Sequence, residues 1–281
     1  MDENLIIVNR GKLEKSKNLI SKQGVKKLHI LSDFDKTLTK AFVWGKSVPS
    51  LISLLRDGDY LGQEYAEKAH QLYDKYHPIE INPNIPLFDK KKAMEEWWNT
   101  HFDLLIKSGL NKKHLRKMVE TGGVEFREGF TQFSNFLKEN KIPLVIMSSS
   151  GLGGDTIRMY LEKYNLISDN VYIISNCYQW DESENAVSIE KPIIHNLNKE
   201  ETMVKNFPFF KNIKNRKNVI LLGDSLQDIA MIEDFDYENL IKIGFLNEEI
   251  EENLEEYKKV YDVLILNDGS MSYLNELVKS F

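Results

Sequence analysis

Two aspartates, Asp33 and Asp35, stand directly after an apolar run in the stretch "ILSDFDKTLT" at 30–39. Two carboxylates in one site repel each other, which raises the pKa of one of them unless a cation is present. Their oxygens are the ligands that a divalent cation prefers. The two acids also suit phosphoryl transfer through an aspartyl-phosphate, with Asp33 as the nucleophile and Asp35 as the acid and base. The alternative is that both are turn or helix-capping residues.

A second pair of aspartates, Asp224 and Asp228, follows another apolar run in "LLGDSLQD" at 221–228. Asp224 is placed to give a divalent cation a further carboxylate ligand. Asp228 could orient Asp224 or a water bound to the metal. The alternative is a Gly-Asp turn that leads into a helix.

Hydroxyl and ammonium groups supply the remaining chemistry. A third apolar run ends in Ser148, Ser149 and Ser150, followed by "GLGGD". Hydroxyls and free backbone N–H groups at such a turn form a phosphate cradle, although serine and glycine are also ordinary loop residues. Lys191 and Lys199 precede the "GDSLQD" strand, and either could balance the charge of a phosphoryl group. The alternative for each is a solvated loop lysine.

The elements that position these groups are apolar runs separated by helical segments. The runs predict buried strands at 28–31, 143–147, 171–174, 218–222, 240–245 and 262–266. Several are apolar throughout, which is typical of strands covered on both faces. Strands that alternate with helices predict an α/β fold with a doubly wound, mostly parallel sheet. Ligands of such sheets bind beyond the carboxyl ends of the strands, where the aspartates and serines lie.

One region, 42–127, lacks a convincing strand and reads as helices. We interpret it as an α-helical cap inserted after the first catalytic strand, with 1–41 and 128–281 forming the α/β core. Within the cap, "HPIEINPNIP" at 77–86 contains three prolines and predicts a turn-rich connector. A helix over about 11–23 is expected to pack on the core.

Composition limits the class of protein. The 281 residues include 37 basic and 43 acidic side chains, a net charge of -6 that argues against a nucleic-acid polymer as partner. Cys177 is the one cysteine, so an internal disulfide is impossible and a reducing compartment is expected. The sequence has neither a signal-peptide pattern nor an apolar stretch of roughly 18 residues. We therefore expect a soluble, cytoplasmic protein without a membrane partner.

The order of these motifs resembles that of the haloacid dehalogenase superfamily of phosphatases. "DFDKT" matches its D-x-D-x-T/V motif, "VIMS" its hydrophobic-then-hydroxyl motif, and "GDSLQD" its G-D-x-x-x-D motif. The resemblance implies that Asp33 is the nucleophile, that Asp35 is the acid and base, and that Ser148 binds the phosphoryl group. It also implies a Mg²⁺ ion held by Asp33, Asp224 and the backbone carbonyl of Asp35.

A closer match, over nearly the whole chain, resembles the cytosolic 5′-nucleotidase III family, the pyrimidine 5′-nucleotidases. It rests on "KLHILSDFDKTLT", "KYHPIEINP", "MEEWW", "EGFTQFSNFLKENKIPLVIMS", "IIHNLNK", "NVILLGDSLQD" and "LIKIGFLN". This resemblance implies that Lys199 is the catalytic and phosphate-binding lysine and that the cap closes over the substrate. It also implies that Glu96, in "MEEWW", recognises the base.

The match to that family leaves two points open. The serine-rich loop is longer than the family pattern, so either Ser149 or Ser150 could share the phosphate contact of Ser148. The aromatic groups that stack on the base are also open. Trp97, with Trp98 and Trp44 as further candidates, is expected to contribute to substrate binding, and the alternative is packing inside the cap.

Together these features predict a Mg²⁺-dependent phosphomonoesterase whose small-molecule substrate is a nucleoside 5′-monophosphate. One alternative keeps the chemistry and changes the substrate to phosphoserine or another small metabolite. Another alternative is a non-catalytic binding protein on the same fold, although such a protein would not need both a nucleophile and an acid/base.

Overall fold

A computed structural model describes residues 4–199, 204, 207–234 and 236–281. Its strands, in chain order, are β1 (Leu5–Ile7), β2 (Leu28–Ser32), β3 (Phe42–Val43), β4 (Lys46–Ser47), β5 (Leu144–Met147), β6 (Val171–Ile174), β7 (Tyr178–Trp180), β8 (Ala186–Ile189), β9 (Asn218–Gly223), β10 (Asn239–Leu246) and β11 (Val263–Leu266). Seven of them form one sheet in the spatial order β1-β11-β10-β9-β2-β5-β6. Every neighbouring pair in this sheet is parallel except β1 with β11. All six predicted strands are present in it, and the predicted α/β fold with a mostly parallel sheet is confirmed.

The helices, in chain order, are α1 (Arg10–Gln23), α2 (Leu51–Asp57), α3 (Gln63–Ile81), α4 (Leu87–Lys107), α5 (Lys112–Thr121), α6 (Phe130–Glu139), α7 (Gly153–Lys163), α8 (Phe210–Ile213), α9 (Ile250–Val260) and α10 (Ser272–Lys279). The first matches the helix predicted over 11–23. The side chain of Asn9 caps its N-terminus by accepting a hydrogen bond from the backbone N–H of Lys12. None of the helices in the described residues is long and apolar enough to cross a membrane.

The two faces of the sheet bury separate apolar cores. In β9, Ile220 and Leu222 pack into one core, while Val219 and Leu221 pack into the other. Because successive side chains of a strand point to opposite faces, a strand covered on both sides must be apolar at every position. The continuous apolar runs in the sequence therefore have a direct structural cause.

The segment between β2 and β5 differs from its prediction in two places. Residues Phe42–Val43 and Lys46–Ser47 pair as a short antiparallel hairpin, although no strand was expected there. Its two turn residues, Trp44 and Gly45, have positive φ angles of 53° and 73°, as tight hairpin turns require. A two-residue strand has too few side chains to produce a recognisable pattern.

The predicted connector at 77–86 is also largely wrong, because α3 continues through Pro78 and ends at Ile81. Tyr76 is buried and Ile79 is partly buried in a cluster with Trp97, and this packing outweighs the loss of one N–H donor at Pro78. Helices α2 to α5 follow the hairpin as expected. The division of the chain into a cap at 42–127 and a core remains a prediction.

Candidate active site

The carboxyl ends of three adjacent strands bring the polar residues of the motifs together. Strand β2 lies between β5 and β9, so Asp33, Ser148 and Asp224 follow neighbouring strands at one edge of the sheet. They surround a cavity of about 250 Å³. The predicted site residues that line this cavity are Asp33, Asp35, Ser148, Ser149, Lys199, Asp224 and Asp228.

Lys199 joins the two pairs of aspartates. Its buried ammonium group lies 2.6 Å from Oδ1 of Asp33 and 2.7 Å from Oδ1 of Asp228. Burial by itself lowers the pKa of the ammonium, but the carboxylates of Asp228 and Asp33 outweigh burial and raise it above its usual value. Lys199 therefore stays positive. Lys191 is exposed and donates to the side chain of Asn99, away from this cavity.

Crowding and burial oppose ionisation of the carboxylates. Burial raises the pKa of Asp33 to about 7, while the charge of Lys199 opposes this rise. The pKa of Asp224 is raised well above its usual value by burial and then by the charges of Asp228 and Asp33. Carboxylates under this repulsion have a strong electrostatic preference for a bound cation.

Three carboxylates form a group that could hold a metal ion. Oxygens of Asp33, Asp224 and Asp228 all lie within 4.8 Å of one another. Their donor set consists of oxygens alone, which fits a hard cation such as Mg²⁺. The carboxylate of Asp35 is not part of this group, as expected if its backbone carbonyl rather than its side chain faces the ion.

Asp228 is occupied by contacts within the protein. Its Oδ1 binds Lys199, and its Oδ2 accepts hydrogen bonds from the N–H of Asp224 and from the N–H and hydroxyl of Ser225. The carboxylate thus fixes the turn that carries Asp224. This arrangement fits the role predicted for Asp228, which orients Asp224 rather than binding the metal directly.

Asp35 lines the same cavity in a buried environment. Burial raises the pKa of its carboxyl to about 6, and the charges of Lys199 and Lys36 oppose that rise. A carboxyl with a pKa near neutrality can donate a proton and then accept one at the operating pH. The environment of Asp35 therefore suits an acid and base.

The serine loop contributes two of its three serines to the cavity lining. Ser148 and Ser149 line it, whereas the hydroxyl of Ser150 accepts a hydrogen bond from the N–H of Leu152 inside the turn. Gly151 packs against the ring of Trp98, where a Cβ atom would lie 2.4 Å from a ring carbon. A larger residue at position 151 would displace Trp98 or the serine loop.

The residues predicted to bind the base lie outside this cavity. The side chain of Glu96 is 59% exposed and accepts hydrogen bonds from Tyr76 and Lys75. Trp97 is 7% exposed and stacks on Tyr76 and Trp98, with ring centroids 5.8 Å apart in both cases. The structure does not bring Glu96 or Trp97 together with the aspartates.

The two other tryptophans named as candidates for stacking also lie outside the cavity lining. Trp98 stacks on His101 and contacts Phe102. Trp44 is 93% exposed at the tip of the β3–β4 hairpin.

Two residues missed in the sequence contact residues that line the cavity. Thr37 donates its hydroxyl to Oδ1 of Asp224 across 3.2 Å, and its position in the "DFDKT" motif was the available signal. Glu80, on α3, binds His77 and accepts a hydrogen bond from the side chain of Asn196, which lines the cavity. Glu80 was missed because its stretch was interpreted as a loop.

Comparison with known proteins identifies the family. A family model described as "Pyrimidine 5'-nucleotidase (UMPH-1)" matches residues 36–281. This chain belongs to the pyrimidine 5′-nucleotidase family. It is accordingly a phosphoric monoester hydrolase of the 5′-nucleotidase type, and the predicted family and enzyme class are confirmed.

Relatives of this pyrimidine 5′-nucleotidase family member carry a narrower name. A Xenopus laevis protein named 7-methylguanosine phosphate-specific 5′-nucleotidase A is 32% identical over 261 residues, which cover 92% of this chain and 89% of that one. The Homo sapiens protein named 7-methylguanosine phosphate-specific 5′-nucleotidase is 30% identical, with coverage of 99% and 93%.

Solved structures agree with the fold of this family member. The crystal structure of cytosolic 5′-nucleotidase IIIB bound to cytidine superposes with a TM-score of 0.88 at 25% identity, covering all of this chain and 94% of that one. A phosphoserine phosphatase, solved as an analogue of its phospho-aspartyl intermediate, gives a TM-score of 0.51 at 17% identity over 90% of this chain and 97% of that one. The second likeness extends to the fold alone.

Proposed function

We propose that this protein hydrolyses nucleoside 5′-monophosphates to nucleoside and phosphate in a Mg²⁺-dependent reaction through an aspartyl-phosphate on Asp33. The observation that carries the proposal is the buried contact of Lys199 with Asp33 beside Asp224. Asp35 lines the same cavity two residues further on. The groups proposed as nucleophile, acid, fixed cation and metal ligand thus line one cavity.

The proposed reaction begins with Asp33. One of its oxygens bonds to phosphorus while the bond from phosphorus to the 5′-oxygen breaks, and Asp35 gives the departing oxygen a proton. Asp35 then takes a proton from water, whose oxygen attacks phosphorus and releases phosphate from Asp33. Lys199, Ser148 and Ser149 stabilise the negative charge on the phosphoryl oxygens.

Mg²⁺ is the proposed cofactor. Asp33, Asp224 and the backbone carbonyl of Asp35 would hold it, and Thr37 and Asp228 would orient Asp224. The oxygen-only donors and the raised pKa values of Asp33 and Asp224 support a divalent cation here. When bound, the ion would neutralise charge on the phosphoryl group.

The proposed substrate class is a nucleotide whose base offers N–H donors to a carboxylate. Several relatives are named for 7-methylguanosine phosphate, and a structural neighbour was solved with cytidine. Cytosine and 7-methylguanine both carry an exocyclic amino group, and 7-methylguanine also carries a positive charge. Either base suits a site with one available carboxylate.

Two glutamates are candidates for that carboxylate. Glu96 was predicted from the family resemblance, with Trp97 as the stacking partner, and both stay predictions. Contact with Asn196, a residue of the cavity wall, supports Glu80 as the alternative. The side chain of Glu80 is 21% exposed and that of Glu96 is 59% exposed. Water would therefore compete less with a hydrogen bond to Glu80 than with one to Glu96.

The direct test is phosphate release from a panel of four compounds: cytidine 5′-monophosphate, 7-methylguanosine 5′-monophosphate, phosphoserine and p-nitrophenyl phosphate. Each is assayed with Mg²⁺ and after chelation with EDTA. We expect at least one nucleotide to be turned over faster than phosphoserine, and chelation to abolish the activity. Preference for phosphoserine would favour the small-metabolite alternative, and no release from any compound would favour a binding protein.

Location in the cell is part of the same proposal. A Caenorhabditis elegans relative, 32% identical over 261 residues, is named putative cytosolic 5′-nucleotidase 3 and is matched over 69% of its length. We propose a cytoplasmic enzyme, and fractionation of cells that express the tagged full chain would test it.

A further inference from the structure

Arg127 lies three residues before the start of α6, and its side chain is fully buried. Its Nε donates to the carbonyl of Thr37 over 3.0 Å, and its Nη2 donates to the carbonyl of Lys36. Its Nη1 donates to Oδ1 of Asp268 and to the carbonyl of Gly269, both over 2.9 Å. The planar guanidinium therefore ties the "DFDKT" turn to the loop that follows β11.

The backbone at Lys36 explains why such a clamp is needed. Lys36 has a φ angle of 56°, in the left-handed region that residues with a Cβ atom rarely adopt. Its carbonyl accepts hydrogen bonds from Arg127 and from Nδ2 of Asn247, and its N–H donates to the hydroxyl of Thr39. Strained conformations persist only where surrounding groups determine them, and they concentrate at functional sites.

The position of Lys36 in the chain connects this strain to the chemistry. The residue before it is Asp35, which lines the cavity, and the residue after it is Thr37, whose hydroxyl binds Asp224. A change of φ at Lys36 would rotate the chain between these two groups. The two donors on the Lys36 carbonyl therefore hold the residue that links Asp35 to Thr37.

Stability alone is a poor explanation for the buried charge of Arg127. Burial lowers the pKa of its guanidinium to about 10, although Asp268 opposes this change. Buried ion pairs often contribute little net stability, because desolvation offsets their attraction. Asp268 also accepts hydrogen bonds from the backbone N–H groups of Ala41 and Phe42. With the bond from Arg127, these three contacts fix the position of its carboxylate.

We propose that Arg127 and Asn247 are positioning residues for hydrolysis. By holding Lys36 in the left-handed conformation they aim Asp35 at the oxygen that leaves and Thr37 at Asp224. The inference rests on the roles proposed above for Asp33 and Asp35. Neither Arg127 nor Asn247 is expected to touch the substrate.

The first experiment replaces Arg127 and compares it with a matched arginine. Arg127→Met and Arg216→Met are assayed with p-nitrophenyl phosphate, well below the thermal unfolding midpoint of each variant. Arg216 also donates to backbone carbonyls, those of Val25, Leu28 and Lys141, but at the opposite end of the sheet. If Asp35 is misplaced, it transfers its proton less efficiently. We therefore expect kcat of Arg127→Met to fall about tenfold to a hundredfold. Its KM and the kcat of Arg216→Met should change less than about threefold.

The second experiment tests the backbone argument directly. Arg127→Met is combined with Lys36→Gly and, separately, with Lys36→Ala; both lack the ammonium of Lys36, but only glycine adopts a positive φ without strain. The loss caused by Arg127→Met should persist in the alanine background and shrink to less than about threefold in the glycine background. Equal losses in the two backgrounds would overturn the proposal.

The remaining outcomes are equally decisive. Unchanged kcat in Arg127→Met, or an equal loss in Arg216→Met, would make Arg127 a stability residue and overturn the proposal. Arg127→Lys keeps the charge but loses the planar fork of donors, so its kcat should lie between wild type and Arg127→Met. Failure of the proposed function has a different signature: either wild type releases no phosphate, or Asp33→Asn remains active whatever Arg127 does.

Discussion

The ammonium of Lys199 donates a 2.6 Å hydrogen bond to Asp33, although the two residues are 166 positions apart in the chain. Both groups are buried, so water screens their attraction weakly. The contact fixes the carboxylate of Asp33 at the end of β2 and places a permanent positive charge beside it. Both effects favour attack of Asp33 on a phosphoryl group.

Lys199→Ala should reduce turnover far more than Lys191→Ala. Removing a preorganised charge from a site of this kind costs about a hundredfold to a thousandfold in kcat. Lys191 is exposed and donates a hydrogen bond to Asn99, outside the cavity lining, so its loss should leave kcat nearly unchanged. Steady-state phosphate release from cytidine 5′-monophosphate measures both. A larger effect at Lys191 would mean that the wrong lysine has been assigned.

Asp35→Asn should impair nucleotide hydrolysis more than hydrolysis of p-nitrophenyl phosphate in the first chemical step. A nucleoside 5′-oxygen needs a proton as it departs, whereas p-nitrophenolate is a good leaving group without one. A rapid-quench assay of p-nitrophenol formation in the first turnover isolates that step. If Asp35→Asn hydrolyses nucleotides at the wild-type rate, Asp35 is not the acid and base.

The two glutamates can be separated by substitution to glutamine. Losing a charge-assisted hydrogen bond to the base costs about 1.5 to 3 kcal/mol, or about tenfold to a hundredfold in kcat/KM. The glutamate that binds the base should show this loss on nucleotides and none on p-nitrophenyl phosphate. Comparing Glu80→Gln with Glu96→Gln on these substrates provides a matched pair on adjacent helices.

The contacts of each glutamate predict which variant shows the loss. We expect it at Glu80, because Glu80 contacts the cavity wall through Asn196 and Glu96 is mostly exposed. A loss at Glu96 alone would establish the residue implied by the family resemblance instead. Equal losses on nucleotides and on p-nitrophenyl phosphate would indicate a structural role for the residue concerned.

Buried histidines predict a loss of stability in acid. Burial lowers the pKa of His101 to about 4, with the charge of Arg56 acting in the same direction. Below its ordinary pKa of 6.5 the unfolded chain binds a proton that the folded protein excludes until about pH 4. The free energy of unfolding should therefore fall between pH 6.5 and 4, by up to about 3 kcal/mol from this residue.

Urea unfolding of His101→Gln across this pH range checks the prediction. The variant loses the hydrogen bond to Tyr65, so the slope with pH matters rather than the absolute stability. That slope should be shallower than in wild type. Identical slopes in wild type and His101→Gln would contradict the assignment.

The sequence predicts the strand ends well because two simple constraints coincide there. Strands covered on both faces are apolar throughout, and polar residues begin where a strand leaves the sheet. Asp33, Ser148 and Asp224 therefore stand out at the ends of apolar runs. The parallel order of the strands then brings these three residues to one edge.

Side chains that act from outside a strand end were harder to predict. Glu96 and Glu80 both lie on helices. The residues around each of them do not determine which face of its helix points toward the cavity. Arg127 carries no motif, because its partners are mostly backbone carbonyls, which every residue possesses. The positive φ of Lys36 leaves no trace in sequence either, since lysine is an uncommon choice for that conformation.

Phosphate release by Asp33→Asn tests the central claim most directly. The substitution keeps the size of the side chain but removes the nucleophile, so a protein that still unfolds cooperatively should release phosphate from cytidine 5′-monophosphate or 7-methylguanosine 5′-monophosphate at least about a thousandfold more slowly than wild type in the presence of Mg²⁺. Release within about tenfold of the wild-type rate would contradict an aspartyl-phosphate on Asp33 and the proposed mechanism with it.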